Sequence, residues 1–164
     1  MATTDSTATP TRLDERELRA WRGMLRVHAA FTKALDAQLE AEHGLPLTSY
    51  EVLMFLADAP GRKMRMSELA EAIILSRSGL TRLVDRLERD GLLCRESCPH
   101  DARGAFAKLS PAGVEKLGAA RATHLAGVRA LFLSHLSPAE QELLGEVWER
   151  VLRAGDLSDA DPAI

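Results

Sequence analysis

Residues Met66 to Ser110 read MSELAEAIILSRSGLTRLVDRLERDGLLCRESCPHDARGAFAKLS, and the order of patterns in this stretch decides the fold. The spacing predicts a short helix, a tight turn and a longer helix with a polar face, followed by two short strand-like runs. A loop from Pro99 to Gly104, which carries an arginine, joins the two runs. This is the order of a winged helix-turn-helix, which lays one helix in the DNA major groove and a basic wing beside it. Sequence-specific DNA binding is therefore the leading prediction.

Helical patterns continue on both sides of this stretch. From Leu13 to a stop at Gly44, one stripe recurs every three or four positions. Its members are Trp21, Leu25, His28, Phe31, Leu35 and Leu39. Thr48 to Glu51 forms a predicted capping box for a second helix, with Leu47 as its staple residue, and Pro60-Gly61 ends that helix.

Serines mark the starts of the later helices. Ser67 and Ser76 are predicted to cap the third and fourth helices, and Gly91 to end the fourth. Leu92 to Cys98 and Ala105 to Leu109 read as a hairpin with a long tip. Ser110-Pro111 begins a fifth helix that extends to about His135. A second capping box, from Ser137 to Glu140, begins the last helix.

The predicted fold is mainly α with a small β-hairpin wing. We expect a mobile tail over residues 1–12, one domain over 13–154 and a C-terminal tail over 155–164. The winged helix-turn-helix lobe would span about 46–110, with dimerisation helices over about 13–43 and 110–154. The 164-residue chain is long enough for a real core, and with only 4% aromatic residues that core must consist mainly of Leu, Ala and Val.

Charge is distributed unevenly along the chain. Between Arg62 and Lys108 there are ten basic and seven acidic residues, a net of +3 within a chain of net charge −3. A basic segment in an acidic chain fits a protein that touches DNA with one face only. Abundant arginine is the alternative explanation, since the chain has 17 Arg and 4 Lys.

The fourth helix carries the predicted DNA contacts. Its first turns present Arg, Ser and Thr side chains suited to base edges, at Arg77, Ser78, Thr81 and Arg82. Arg86 and Arg89 lie further along and are predicted to contact phosphates. At the wing, Arg103 can enter a minor groove, and Asp101 can orient its guanidinium. A solvated amphipathic helix and an ordinary turn are the alternatives for these two features.

Together these features resemble the MarR family of bacterial transcription regulators. The resemblance covers roughly Leu18 to Leu152 and rests on LSRSGLTRLVDRLERDGLL, the following DARG and the LSPAG after it. It implies a homodimer held by the N- and C-terminal helices, a palindromic operator, and usually repression relieved by a small ligand. Ala102 departs from the pattern, since many members carry a second arginine there.

An effector site is predicted between the dimer helices and the winged lobe, where the family often binds aromatic or phenolic acids. Trp21, His28 and Tyr50 could line it. The alternative is that Trp21 and His28 belong to the core or the dimer interface, because they lie on the apolar stripe.

The remaining patterns give weaker signals. Cys94, Cys98 and His100 could bind zinc, but their spacing matches no strong zinc pattern, and a structural or incidental role is the alternative. No catalytic motif, cofactor site, signal peptide or membrane span is recognised, so we expect a cytoplasmic protein that is not an enzyme. A metal- or thiol-responsive regulator on the same fold, and a winged-helix module for protein interactions, are the other interpretations.

Overall fold

A computed structural model describes residues 12–73, 75–98 and 101–155, without the side chains of Cys98 and of residues 101–104. The predicted tails therefore lie outside the described residues, apart from Arg12 and Gly155. The described chain forms six α-helices and three strands. The helices are α1 (Glu15–His43), α2 (Leu47–Asp58), α3 (Met66–Ala72), α4 (Arg77–Arg89), α5 (Pro111–Leu131) and α6 (Pro138–Ala154). The strands are β1 (Lys63–Arg65), β2 (Leu93–Cys98) and β3 (Asp101–Leu109).

This architecture confirms the mainly helical fold with a small winged sheet. The strands pair antiparallel in the order β1-β3-β2. The sequence analysis missed β1, a three-residue strand that pairs with β3 from Lys63 opposite Lys108 to Arg65 opposite Phe106. It also began the last strand at Ala105, whereas β3 begins at Asp101. The last strand thus includes part of the predicted tip, and Asp101 pairs with Cys98 across a register shift between Ser97 and Cys98.

The long first helix starts and stops on signals that the sequence carries. Asp14 caps it, and the Asp14 and Glu17 side chains each accept a hydrogen bond from the other's backbone N–H. Gly44 ends the helix in the left-handed conformation at φ 57°, which glycine adopts without strain. Only the C-terminal part of the predicted stripe reaches the core, since Leu39 is buried while Trp21 and Leu25 are exposed.

Two predicted helix caps are wrong. Helix α2 begins at Leu47, before Thr48, and the Leu47 N–H donates to Asp36 Oδ1 of α1 at 2.8 Å. A carboxylate from a neighbouring helix thus satisfies one free N–H at the start of α2, one residue before the predicted Thr48 cap. Ser67 lies inside α3, which begins at Met66, and the Glu68 carboxylate accepts from the Arg65 N–H instead.

The caps of the later helices are confirmed. Ser76 accepts from the Gly79 N–H, and Ser110 accepts from the Gly113 N–H. A Cβ on Gly113 would collide with the backbone oxygen of Leu92, so a glycine lets α5 pack against the start of the hairpin. Helix α5 ends at Leu131 rather than at His135, and a short 3-10 turn over Leu133–His135 leads to α6.

The core lies where α2, α4, the sheet and the inner halves of α1 and α5 meet. Helix α2 is buried on most sides, and α4 contributes one buried face of four aliphatic residues: Leu80, Leu83, Val84 and Leu87. Leu93 and Leu109 close it from the sheet, and Leu117 from α5. Among the described residues, no helix is both long enough and apolar enough to cross a membrane.

Candidate nucleic-acid interface

The exposed face of α4 is set by its core contacts. The four aliphatic residues of α4 anchor one side of the helix, so the opposite side faces solvent. Ser78, Thr81, Arg82, Asp85 and Arg89 lie on the exposed part of the helix. The fourth helix of the sequence prediction therefore presents a polar surface that nothing else in the described protomer covers.

The first turns of α4 carry side chains available to a partner. The side chains of Arg77 and Arg82 are exposed and form no hydrogen bond or ion pair with other described residues. The Thr81 hydroxyl donates to the Arg77 carbonyl at 2.8 Å, which leaves its lone pairs to accept from outside. Ser78 Oγ lies 3.2 Å from Ser76 Oγ. All four predicted base-contacting residues are thus on the surface, at the N-terminal end of one helix.

The two later arginines of α4 are in different environments. Arg86 is half-buried, and its Nη2 donates to Ser49 Oγ on α2 at 2.6 Å, where Ser49 is only 1% exposed. Arg89 is exposed, and its Nε donates to the Asp85 carbonyl of its own helix. The exposed position of Arg89 is compatible with a phosphate contact, which stays a prediction. Arg86 is instead engaged with the protein interior, and its sequence spacing did not reveal this.

A residue that the sequence analysis did not single out joins α4 to the sheet. Arg95 of β2 pairs with Asp85 at 2.6 Å and with Glu88 at 2.8 Å. Its Nη2 also donates to the Thr81 carbonyl at 3.3 Å, and its backbone N–H donates to Glu88 Oε1 at 2.8 Å. The available signal was an arginine in the strand that follows a helix bearing two carboxylates three residues apart.

The structure describes the base of the wing, whereas it does not describe the side chains at the tip. Asp101 and Arg103 belong to β3, so the backbone that carries the predicted wing contacts is extended. Nearer the base, Lys108 pairs with Glu96 at 2.7 Å, and this contact lowers the pKa of the Glu96 carboxyl and raises that of the Lys108 ammonium. The guanidinium of Arg65 lies 5.3 Å from the centre of the Phe106 ring.

An open groove of about 540 Å³ lies between α3 and α4, beside the N-terminus of α4. Its lining residues are Ser67, Ala70, Glu71, Leu75, Ser76 and Arg77. Trp21, His28 and Tyr50 do not line it. The groove belongs to the helix-turn-helix surface and adjoins the residues predicted to reach bases.

The three predicted effector residues do not form one exposed cluster in the single protomer. Trp21 is 52% exposed on α1, two helical turns before the exposed His28. Tyr50 is only 2% exposed, and this burial raises the pKa of its hydroxyl. Burial also raises the pKa of the neighbouring Glu51, and the charge of His28 offsets part of that shift. His28 therefore lies near α2, while the Tyr50 ring faces the interior.

Tyr50 packs on a histidine that the sequence analysis missed. The rings of Tyr50 and His124 stack with centroids 4.6 Å apart at an angle of 25°. His124 Nδ1 is buried without a hydrogen-bond partner among the described atoms. Burial, helped by the charge of Arg121, lowers the pKa of His124. Nearby, His43 Nε2 contacts the Thr123 hydroxyl at 2.8 Å, which ties α1 to α5.

The predicted metal and thiol residues give no assembled site in the part of the chain described. Cys94 is exposed and unbridged on β2. Cys98 lies on the same strand, but its side chain and all of His100 are outside the described residues. Among the residues whose side chains are described, no group of three His, Cys, Asp or Glu is arranged to hold a metal ion.

Comparison with known proteins identifies the family of this chain. The MarR family model matches residues 43–104, which include α2 through the start of β3. The HTH-type transcriptional regulator YkoM of Bacillus subtilis is 31% identical over 134 residues, covering 80% of this chain and 85% of that protein.

Solved structures of other proteins match the fold of this chain over most of its length. Sco3205, a MarR family transcriptional regulator of Streptomyces coelicolor solved in complex with DNA, is 36% identical with a TM-score of 0.82, covering 88% of this chain and 91% of its own. AbsC, another MarR family regulator of that organism, is 34% identical with a TM-score of 0.81, covering 88% of this chain and 97% of its own. The chain therefore belongs to the MarR family of transcriptional regulators, which bind DNA and are not enzymes.

Proposed function

We propose that this chain is a homodimeric repressor that binds a palindromic operator and is released from it by a small aromatic or phenolic ligand. The observation that carries the proposal is that the protomer has one polar, cationic surface and a separate apolar surface. Helix α4 exposes cationic and hydroxyl side chains, whereas α1 and α6 expose large apolar ones. The first surface suits DNA, and the second suits another copy of the chain.

The apolar surface supports the dimer. Large hydrophobic side chains on or next to the two terminal helices are 40% exposed or more in the protomer: Leu13, Trp21, Leu25, Val27, Leu143, Trp148, Val151 and Leu152. Exposed apolar residues in such number on two segments are typical of an interface. A two-fold dimer built on them would present its α4 helices to half-sites about one DNA turn apart.

The environments of the α4 residues support the roles proposed for them in DNA binding. Arg77, Ser78, Thr81 and Arg82 are free to reach base edges, and the exposed Arg89 suits a phosphate. We retain Arg103 as a minor-groove contact of the wing, with Asp101 orienting it, on the sequence pattern alone. We do not retain Arg86 as a phosphate contact, because its guanidinium is bonded to Ser49.

The direction of regulation rests on relatives. YetL of Bacillus subtilis, named a transcriptional repressor, is 28% identical over 115 residues, covering 68% of each chain. Repression through operator occupancy would take place where bacterial DNA lies, in the cytoplasm. The effector is proposed to enter between α1 and α2, where His28 lies near Glu51, the sequence neighbour of the buried Tyr50. A protonated His28 could pair with the carboxylate of an aromatic acid.

The experiment has two stages. The full-length protein is first used to capture fragments of its own genome, and the recovered site is tested for a palindrome and for salt dependence. Log affinity should fall linearly with log salt concentration, because each phosphate contact releases counterions. Recovery of random fragments only, with no preferred site, would contradict the operator.

Aromatic acids are then titrated against the protein while Trp fluorescence and operator binding are followed. An acid that quenches Trp fluorescence should also weaken operator binding, and His28→Ala and Tyr50→Phe should reduce both effects. Arg129→Ala is the control, because Arg129 is an exposed residue of α5 outside the proposed cleft. Equal release of the operator from wild type and both cleft variants would mean that the pocket lies elsewhere.

A further inference from the structure

Arg95 holds two carboxylates and a carbonyl of α4 with one guanidinium. Nη2 pairs with Asp85 Oδ1 at 2.6 Å and donates to the Thr81 carbonyl at 3.3 Å, while Nη1 pairs with Glu88 Oε2 at 2.8 Å. The Arg95 backbone N–H adds a fourth bond, to Glu88 Oε1. The three α4 residues are three and four positions apart, so they line one flank of the helix over two turns.

One of these carboxylates lies on the surface proposed to face DNA. Asp85 comes three residues after Arg82 and four residues before Arg89, so all three share the exposed face of α4. The Asp85 side chain is 49% exposed, and that of Glu88 is 36% exposed. Without a partner, each would bring a negative charge close to the phosphates that Arg82 and Arg89 approach.

Arg95 itself is less exposed than either carboxylate. Its side chain is 29% exposed, and its strand β2 lies beside α4 rather than on the exposed face. The planar guanidinium can bind two carboxylates at once, which a lysine ammonium cannot do with the same geometry. Strand β2 therefore places a positive charge beside α4, next to the carboxylates of Asp85 and Glu88.

We propose that Arg95 is a positioning residue for DNA binding: it neutralises Asp85 and Glu88 and fixes α4 against β2, so that the arginine face of α4 can approach phosphates. This proposal rests on the proposed function, in which α4 is the helix that contacts DNA. Arg95 acts through the two carboxylates, and its contribution to DNA affinity exists only while those carboxylates are present.

The test is a double-mutant cycle read in operator affinity. Four proteins are compared at a temperature where all are folded: wild type, Arg95→Gln, the pair Asp85→Asn with Glu88→Gln, and the triple variant. Arg95→Gln should lower affinity about tenfold in the wild-type background, and less than about twofold in the background without carboxylates, because members of one charge network couple. Arg95→Lys, which keeps the charge but not the fork, should fall between wild type and Arg95→Gln.

Other outcomes would overturn the proposal. If Arg95→Gln costs the same factor in both backgrounds and lowers the salt slope by about one charge in each, Arg95 touches a phosphate directly. If it lowers only the unfolding midpoint and leaves affinity unchanged, its role is purely structural. Should Arg95→Gln not fold, the same cycle is run with Arg95→Lys, and an equal loss in both backgrounds again overturns the proposal.

Failure of the proposed function gives a separate signature. Arg77→Ala and Arg82→Ala, whose side chains have no partner among the described residues, are measured on the same operator. If neither changes affinity, α4 does not contact DNA and the proposed function is wrong. If both weaken binding and the cycle shows no coupling, only the role of Arg95 is wrong.

Discussion

Replacing Arg86 with methionine separates a structural arginine from a DNA-contacting one. The substitution keeps the long apolar stem and removes the guanidinium, which donates to Ser49 Oγ at 2.6 Å. A hydrogen bond that involves a charged group contributes about 1.5–3 kcal/mol. Ser49 is 1% exposed, so water does not replace the lost donor, although its hydroxyl can turn towards a carbonyl of its own helix. We expect the free energy of unfolding to fall by about 2 kcal/mol.

Urea unfolding at fixed protein concentration measures this change, since a dimer's stability depends on concentration. Arg89→Met is the matched control, because the same substitution at an exposed site on the same helix should change stability by about 0.5 kcal/mol or less. Ser49→Ala completes a double-mutant cycle. If the bond is the cause, the two substitutions should couple by about 1–2 kcal/mol.

The opposite pattern would refute the reasoning. Arg86→Met would then unfold at the wild-type urea concentration, show no coupling to Ser49→Ala, and weaken binding to every DNA sequence by the same factor. That combination is the behaviour of a phosphate contact, as the position of Arg86 in the sequence first suggested.

Three further predictions address the DNA interface, the dimer and the half-buried His124. Arg82→Ala should cost about 1–3 kcal/mol on the operator and relax specificity, whereas Arg89→Ala should weaken all sequences equally; competition with random DNA distinguishes the two. Trp148→Glu, on the exposed apolar face of α6, should give monomers in sedimentation, whereas the nearby exposed Glu149→Gln should not. His124 has a lowered pKa in the fold, so the unfolded state binds the proton first as pH falls below about 6.5. Unfolding free energy should therefore decline from pH 7.5 to 5.5 more steeply in wild type than in His124→Leu, as measured by urea unfolding across that range.

Features that depend on near neighbours in the chain were predictable. Ser76 caps α4, Ser137 caps α6, and Gly44 ends α1, because each signal acts within a few residues of itself. The apolar face of α4 was predictable for the same reason, since 3.6-residue periodicity fixes which side chains share a side. Knowing that face also identified the exposed one, although it did not show that Arg86 bonds to Ser49.

Features that depend on distant parts of the chain were not predictable. Thr48 has the sequence pattern of an N-cap, but α2 begins one residue earlier, where Asp36 of α1 accepts from the Leu47 N–H. Strand β1 has only three residues, too few to show an alternating pattern, and it exists because β3 offers an edge. In the sequence, Tyr50 has the properties of an amphipathic aromatic residue available to a ligand. In the structure its ring is buried and stacks on His124 of α5.

The arginines of α4 show why residue type alone cannot assign a role at this interface. Two residues along a helix correspond to about 200°, so Arg86 and Glu88 emerge on opposite flanks of α4. On one flank Arg86 bonds to Ser49 of α2, and on the other Arg95 of β2 bonds to Glu88. In the first contact an arginine of α4 bonds to another helix, and in the second an arginine of a strand bonds to α4. Both contacts hold the rotation of α4 about its own axis. That rotation determines where Arg82 points, because a turn of a few degrees displaces the end of so long a side chain relative to a base edge. We therefore expect the specificity proposed for the exposed arginines to depend on two guanidinium contacts that need not touch DNA.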